Sequence, residues 1–227
     1  MKRNKVFFAV SMSLDGYIAP EGMDLAHADD PTYKNWLDKW LQLQHWIFQQ
    51  KSFKEKLKLG EGGETGADNR LYEEIFGRTG VTILGKNMFA GGEKYWPEEA
   101  PFHTPVFVLT HEVREPWVRP GGTTFYFEND GIMGALEKAK EVAGNRDIRI
   151  GGGADVIQQY LDAGLVDEFI IHLSPVFFGG GIPLFKDVNE NIALSLRDTL
   201  PSKYVTHITY EVKPNHLVPI KPGGEFL

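Results

Sequence analysis

The sequence predicts an α/β fold, a mostly parallel sheet finished by antiparallel strands. Three observations carry that expectation. Short apolar runs alternate with amphipathic helical segments through the middle of the chain. Two of those runs, Val81-Thr82-Ile83-Leu84 and Ile148-Arg149-Ile150, end in glycine and feed a helix. Beyond them, Ile192–Leu200 and Lys203–Lys213 read as two strands around Pro201-Ser202, with no helix between.

The elements follow in order. Val6 to Met12 reads as a buried first strand, opening into a turn-rich loop from Ser13 to Pro20. From about Pro31 to Leu59, Trp36, Leu37, Trp40, Leu41, Leu43, Trp46, Ile47 and Phe48 recur at helical spacing. This stripe reads as core or dimer interface rather than a ligand box. Gly60 to Gly66 is expected to be a flexible loop, and Asp68 the N-cap of a helix reaching about Phe76. Strands are then expected at Val81–Leu84, at Thr104–Thr110 with Pro105 near its start, and at Thr123–Phe127. The helix Gly131–Ala143 precedes the strand Asp147–Ile150. The helix Ala154–Ala163, ended by Gly164, precedes the strand Asp167–Leu173. Pro214 to Leu227 reads as a C-terminal arm.

At 227 residues the chain has room for one large domain or two small ones. The 42 % apolar and 12 % aromatic content supports a packed core and argues against disorder. A net charge of −7 argues against non-specific nucleic-acid or anionic-membrane binding but leaves room for a local basic pocket. The absence of cysteine excludes disulfides, thiolate metal sites and cysteine nucleophiles. The basic start, Met1 to Lys5, is followed by too short an apolar run for a signal peptide, and no stretch approaches a membrane span. The cytoplasm is the default expectation.

Gly80 to Asn87 nearly matches a P-loop. Asn87 lacks the hydroxyl that would ligate magnesium, and the four intervening residues form a strand. What survives is Gly85-Lys86-Asn87 at a strand's C-terminal edge, where α/β ligands bind. Taken alone, a glycine-closed strand beside a solvated lysine is the simpler reading. Gly151-Gly152-Gly153 departs from the dinucleotide fingerprint, since Val156 stands where the third glycine belongs. Ala154 or Asp155 instead opens a helix whose amides can face a pyrophosphate. A third glycine run, Gly179-Gly180-Gly181, reads as a structural turn leading to the terminal strands. Asp15 could serve as an acid if burial raised its pKa, but capping its own turn is favoured on residue physics. The histidines show no metal-ligand spacing, and His172, alone in an apolar strand, reads as a core or interface residue.

In order and spacing, the chain resembles the dihydrofolate-reductase-like superfamily. The likeness is to the branch that contains the reductase domain of the riboflavin-biosynthesis deaminase-reductase. It rests on Ser13-Leu14-Asp15-Gly16-Tyr17-Ile18-Ala19, Leu84-Gly85-Lys86-Asn87-Met88, Val108-Leu109-Thr110, Ile150-Gly151-Gly152-Gly153-Ala154, and Phe178 to Phe185. The resemblance implies a three-layer αβα domain over residues 1–213; the Trp-rich helical segment at about 29–66 departs from the family pattern and reads as an insertion, and homodimerisation is expected from the likeness together with that insertion. It implies NADPH bound across the C-terminal strand ends. Gly85, Lys86, Asn87, Thr110 and His111 would hold the adenosine side and its 2′-phosphate. Gly151, Gly152, Gly153, Ala154, Asp155 and Val156 would cradle the pyrophosphate, and Ala9 and Ile18 would line the nicotinamide. Asp15 would be the catalytic acid on the substrate side. Lys86 stands where the family often has arginine, which keeps the charge and loses the bidentate fork.

The implied function is an NADPH-dependent reductase of a small-molecule substrate. Its nearest activity is 5-amino-6-(5-phosphoribosylamino)uracil reductase of riboflavin biosynthesis. The alternatives are a dihydrofolate reductase proper and a non-catalytic nucleotide-binding module. No deaminase zinc signature is present. Asp29 and Asp38 fit poorly at the position of the pterin-binding carboxylate, which counts against folate.

Overall fold

The computed structural model describes residues 3–23 and 33–213. In chain order the elements are β1 (Val6–Ser13), β2 (Tyr17–Pro20), α1 (Tyr33–Leu43), α2 (His45–Phe48), α3 (Lys51–Lys56), α4 (Ala67–Arg78), β3 (Thr79–Gly85) and α5 (Lys86–Tyr95). They continue with β4 (Pro105–Leu109), β5 (Trp117–Val118), β6 (Thr124–Glu128), α6 (Gly131–Val142), β7 (Asp147–Gly152) and α7 (Ala154–Asp162). The last are β8 (Glu168–Ser174), β9 (Gly181–Pro183), β10 (Ala193–Pro201) and β11 (Thr206–Lys213). The C-terminal arm and the first part of the expected insertion lie outside the described residues.

Nine strands form one sheet in the order β10-β11-β8-β1-β7-β3-β4-β6-β5. The run from β8 to β6 is parallel; β11, β10 and β5 join antiparallel. All seven residues of β3 are buried, as expected for a parallel strand covered on both faces. Alternation along β1 separates the two layers. Val6 and Phe8 pack with Ile83, Ile148 and Ile150 against Leu136 of α6 and Ile157 of α7. Phe7 and Ala9 point the other way, against Ile75 of α4. On that same face Phe89 of α5 packs on Leu84, Val106 and Phe125. The three-layer αβα arrangement follows from these two faces.

Local expectations were met where the signal was local. Gly164 closes α7, with Leu165 N–H donating to the Tyr160 carbonyl at 2.9 Å. Other expectations need correction. The helical stretch 31–59 divides into α1, α2 and α3, because Trp46 turns inward and donates from Nε1 to the Ser11 hydroxyl at 2.9 Å. Asp68 is not an N-cap: Gly66 occupies that position, and Asp68 lies buried in the first turn of α4 with its carboxylate committed elsewhere. The loop 60–66 is tied down at Glu64, whose amide and carbonyl pair with Gln49 and Lys51 at 2.8 and 3.0 Å. The first loop contains β2, which pairs with β9 inside the third glycine run as a separate two-stranded ribbon. No helix among the described residues is long and apolar enough to cross a membrane.

Candidate functional site

The C-terminal ends of β4, β3, β7, β1 and β8 lie side by side along one edge of the sheet. Ligands of open α/β sheets bind outside such ends. At the centre the two glycine turns touch. A Cβ on Gly85 would meet Val156 Cγ2 at 2.9 Å and Gly153 N at 3.5 Å. Gly85 immediately precedes α5 and Gly153 immediately precedes α7, so two helix N-termini with free amides open next to each other. Gly152, with φ of 114°, occupies a backbone region that side chains disfavour. This is a cradle that side chains would fill, and it suits a phosphate-bearing group. Asp155 sits in the first turn of α7 and accepts from Gln159 Nε2 at 2.7 Å.

Beside the cradle, Lys86 opens α5 and its ammonium pairs with Glu112. That contact holds the Glu112 carboxyl below its ordinary range. The strand-end loop is held by side-chain hydrogen bonds. Thr110 Oγ1 accepts from the Glu112 amide at 3.0 Å, and Asn129 Nδ2 donates to the Thr110 and Glu112 carbonyls at 3.0 and 3.1 Å. Arg114 is engaged by Glu93 at 2.7 Å and lies over the Phe127 ring. Lys86, Asn87, Thr110 and His111 thus share one exposed corner, in which the lysine already has a carboxylate partner.

At the other end, Asp15 is fastened to the third glycine run. Its carboxylate accepts from the Ser13 hydroxyl at 2.6 Å, from the Gly179 amide at 2.7 Å and from the Phe178 amide at 3.1 Å. The Ser13 hydroxyl and then the Gly179 and Phe178 amides hold its carboxyl at about 2, against an ordinary 3.8. The condition for an acid role, a pKa raised by burial, is not met. The group is exposed and the bonds favour its charged form. Leu14 N–H also donates to the Val176 carbonyl, and Leu184 N–H to the Gly16 carbonyl, at 2.9 and 3.0 Å. Ile18 is half-buried in β2 near this junction. Ala9 is not at the edge: its side chain packs with Phe7, Ile75 and Ile170 inside the core. The β1 residues that reach the edge are Ser11 to Ser13.

A cavity of about 600 Å³ lies between the helical insertion and the ends of β8 and β11. Asp38, Gln42, His45 and Trp46 form one wall; Ser174, Val176, Lys203 and Tyr204 face them. Ser11 Oγ, which receives Trp46 Nε1–H, donates in turn to Gln44 Oε1 at 2.9 Å. Behind Trp46 runs a buried polar chain. Asp68 Oδ1 is 3.1 Å from His207 Nε2, and His207 Nδ1 is 2.7 Å from His172 Nδ1. With Nε2–H donated to the carboxylate, His207 Nδ1 accepts from His172 Nδ1–H, an assignment made by the network. Burial pushes both imidazoles toward the neutral form, although Asp68 opposes this at His207. The reading of His172 as a core or interface residue did not include its partners, which come from elements 104 and 35 residues away. No local signal in the sequence joins them.

The sheet order, the two helical layers and a ligand edge built on two glycine turns define a dihydrofolate-reductase-like αβα protein. The chain belongs to the RibD C-terminal domain family, which matches residues 4–208. It is 28 % identical over 205 residues to the uncharacterised protein YwjB of Bacillus subtilis (strain 168), covering 88 % of this chain and 92 % of that one. Among solved structures it is similar to a putative riboflavin biosynthesis protein from Shewanella sp. PV-4. That match has a TM-score of 0.59 and 22 % identity, over 92 % of this chain and 99 % of the other. Dihydrofolate reductase from Enterococcus faecalis, complexed with NADP(H), gives a TM-score of 0.53 at 14 % identity, over 92 % and 97 % of the two chains. At these identities the structural likeness establishes the fold. The family establishes a RibD-like reductase domain.

Proposed function

We propose that this chain is an NADPH-dependent reductase of a small heterocyclic or imine-bearing substrate. Its nearest relative in activity is 5-amino-6-(5-phosphoribosylamino)uracil reductase. The observation that carries the reading is the close approach of Gly85 to the Gly152–Val156 turn, which sets two helix N-termini next to each other. In this reading the amides after Gly85 and Gly153 bind the pyrophosphate, and Lys86 meets the 2′-phosphate. When bound, the dinucleotide supplies a hydride.

The protein's own contribution is alignment and exclusion of water. Asp15 ties the glycine run 179–181 to the end of β1 and is a positioning residue rather than a proton donor. Trp46, fixed through Ser11, walls the cavity where the substrate binds. Homodimerisation belongs to the proposal and is tested by sedimentation velocity.

The test of the cradle is Ala154→Asp with calorimetric titration of NADPH and NADH. A carboxylate in the first turn stabilises a helix but repels a phosphate placed there. The variant should hold or gain thermal stability while losing dinucleotide affinity. Unchanged affinity would move the site elsewhere.

A further inference from the structure

We propose that the buried chain Asp68–His207–His172 is the positioning element of the cavity wall, and that it holds Trp46 in place only while both imidazoles are neutral. This deepens the reductase reading and rests on it for one point, that the cavity takes the substrate.

Trp46 stands on α2, a helix of four residues with no side-chain cap. A helix that short has no stability of its own, so contacts with the sheet decide where it lies. Three of them reach the Trp46 indole. Its Nε1–H donates to Ser11 Oγ on β1 at 2.9 Å. The His172 ring, opposite Ser11 in the β1–β8 register, lies against it with centroids 4.6 Å apart. The His207 ring on β11 meets it nearly edge-on at 5.0 Å. The same junction is pinned once more where Ser174 Oγ donates to the Leu43 carbonyl at 2.8 Å. Trp46 and Ser174 both line the cavity, so whatever moves the two imidazoles moves its wall.

The imidazoles themselves are fixed by one arrangement of protons. His207 donates from Nε2 to Asp68 and accepts at Nδ1 from His172 Nδ1–H. Charge on His172 is opposed by burial, by His207 and by Arg149 on β7. Asp68 on α4 is the group that favours charge, and it acts on His207. His207 is therefore the site that takes a proton as the pH falls. Its free position is Nδ1, and a proton there sets N–H against N–H across 2.7 Å. The bond between the rings is lost, and with it the packing that holds the indole. The far half of the sheet, where Trp96 and Trp117 stack on Phe125, takes no part.

The experiment is an NMR titration of the labelled full chain from pH 8 to pH 4, with neither nucleotide nor substrate, so it can fail while the reductase reading stands. The indole Nε1–H peak of Trp46 is identified by its loss in Trp46→Phe. That peak and the Val176 amide should move together at one midpoint below 6.5, while the Trp96 and Trp117 peaks stay in place. Asp68→Asn keeps an acceptor for His207 and removes the charge that favours its protonation, so the midpoint should fall by about one pH unit. His207→Gln, which keeps an N–H for Asp68 and takes no proton, should abolish the movement. His45→Gln, at the exposed imidazole of the cavity, should leave it unchanged. A Trp46 peak that never moves, one that moves only together with Trp96 and Trp117, a midpoint indifferent to Asp68→Asn, or a movement lost in His45→Gln would each overturn the inference.

Discussion

Lys86 and Glu112 are both about half exposed, so their pairing contributes little to stability. Its consequence is for binding. A 2′-phosphate arriving at Lys86 must displace a carboxylate or share the lysine with it, whereas a 2′-hydroxyl can donate to that same carboxylate. Glu112→Gln should therefore raise NADPH affinity severalfold and leave or lower NADH affinity. Lys86→Ala should weaken NADPH more than NADH. Competitive titration of the two nucleotides reads both, and equal effects on them would remove this corner from the site. Asp15 gives a prediction of a different kind. Its folded pKa lies below its ordinary 3.8, so its stabilising contribution is present above that pH and is lost as pH falls toward about 2. Asp15→Asn should lower the thermal midpoint at neutral pH, and the gap to the wild type should close under acid. A gap that persisted at pH 2 would mean that the fastening does not depend on the carboxylate's charge.

The elements differ in how far they could be read from the chain. Both glycine turns were visible because each signal is local: an apolar run, glycine, then helical spacing. That they touch was not visible, since only the β7–β3 pairing, Leu84 opposite Gly152, brings them together. The insertion shows the opposite limit. Helical periodicity described its residues but not its two breaks, which arise where Trp46 is drawn to Ser11 and where Gln50 bridges to Glu64. Asp68 looked like a cap because Asp at a helix start usually is one, yet its partner His207 lies 139 residues away. The β8–β11 pair that carries His172 and His207 has its own pH signature. Both imidazoles are buried and disfavour protonation, so the unfolded chain binds their protons more readily. Stability should be fully present above about pH 6.5 and should fall as pH drops below it. Urea midpoints measured from pH 8 to 5 test this, with a shallower slope expected for His172→Asn. An equal slope in that variant would assign the effect to other groups.

At the scale of the whole molecule, the site is a line across one edge of the sheet. It runs from Thr110, just past the end of β4, through Gly85 and Gly152, to Ser13 and on to Ser174 at the cavity. Neighbouring strands are about 4.8 Å apart, so the four intervals span roughly 19 Å. The charge cluster of Glu168 with Lys5, Arg78 and Arg197 sits at the other end of β8, where it secures strand starts away from the ligand edge. The division suits a protein whose sheet supplies rigidity and whose C-terminal edge supplies chemistry. The most direct test is amide chemical-shift mapping of the labelled chain titrated with NADPH. The account predicts the largest shifts at Gly85 to Asn87 and Gly151 to Val156, with smaller ones at Thr110 and His111. Shifts confined to other parts of the sheet, or none at saturating nucleotide, would contradict it.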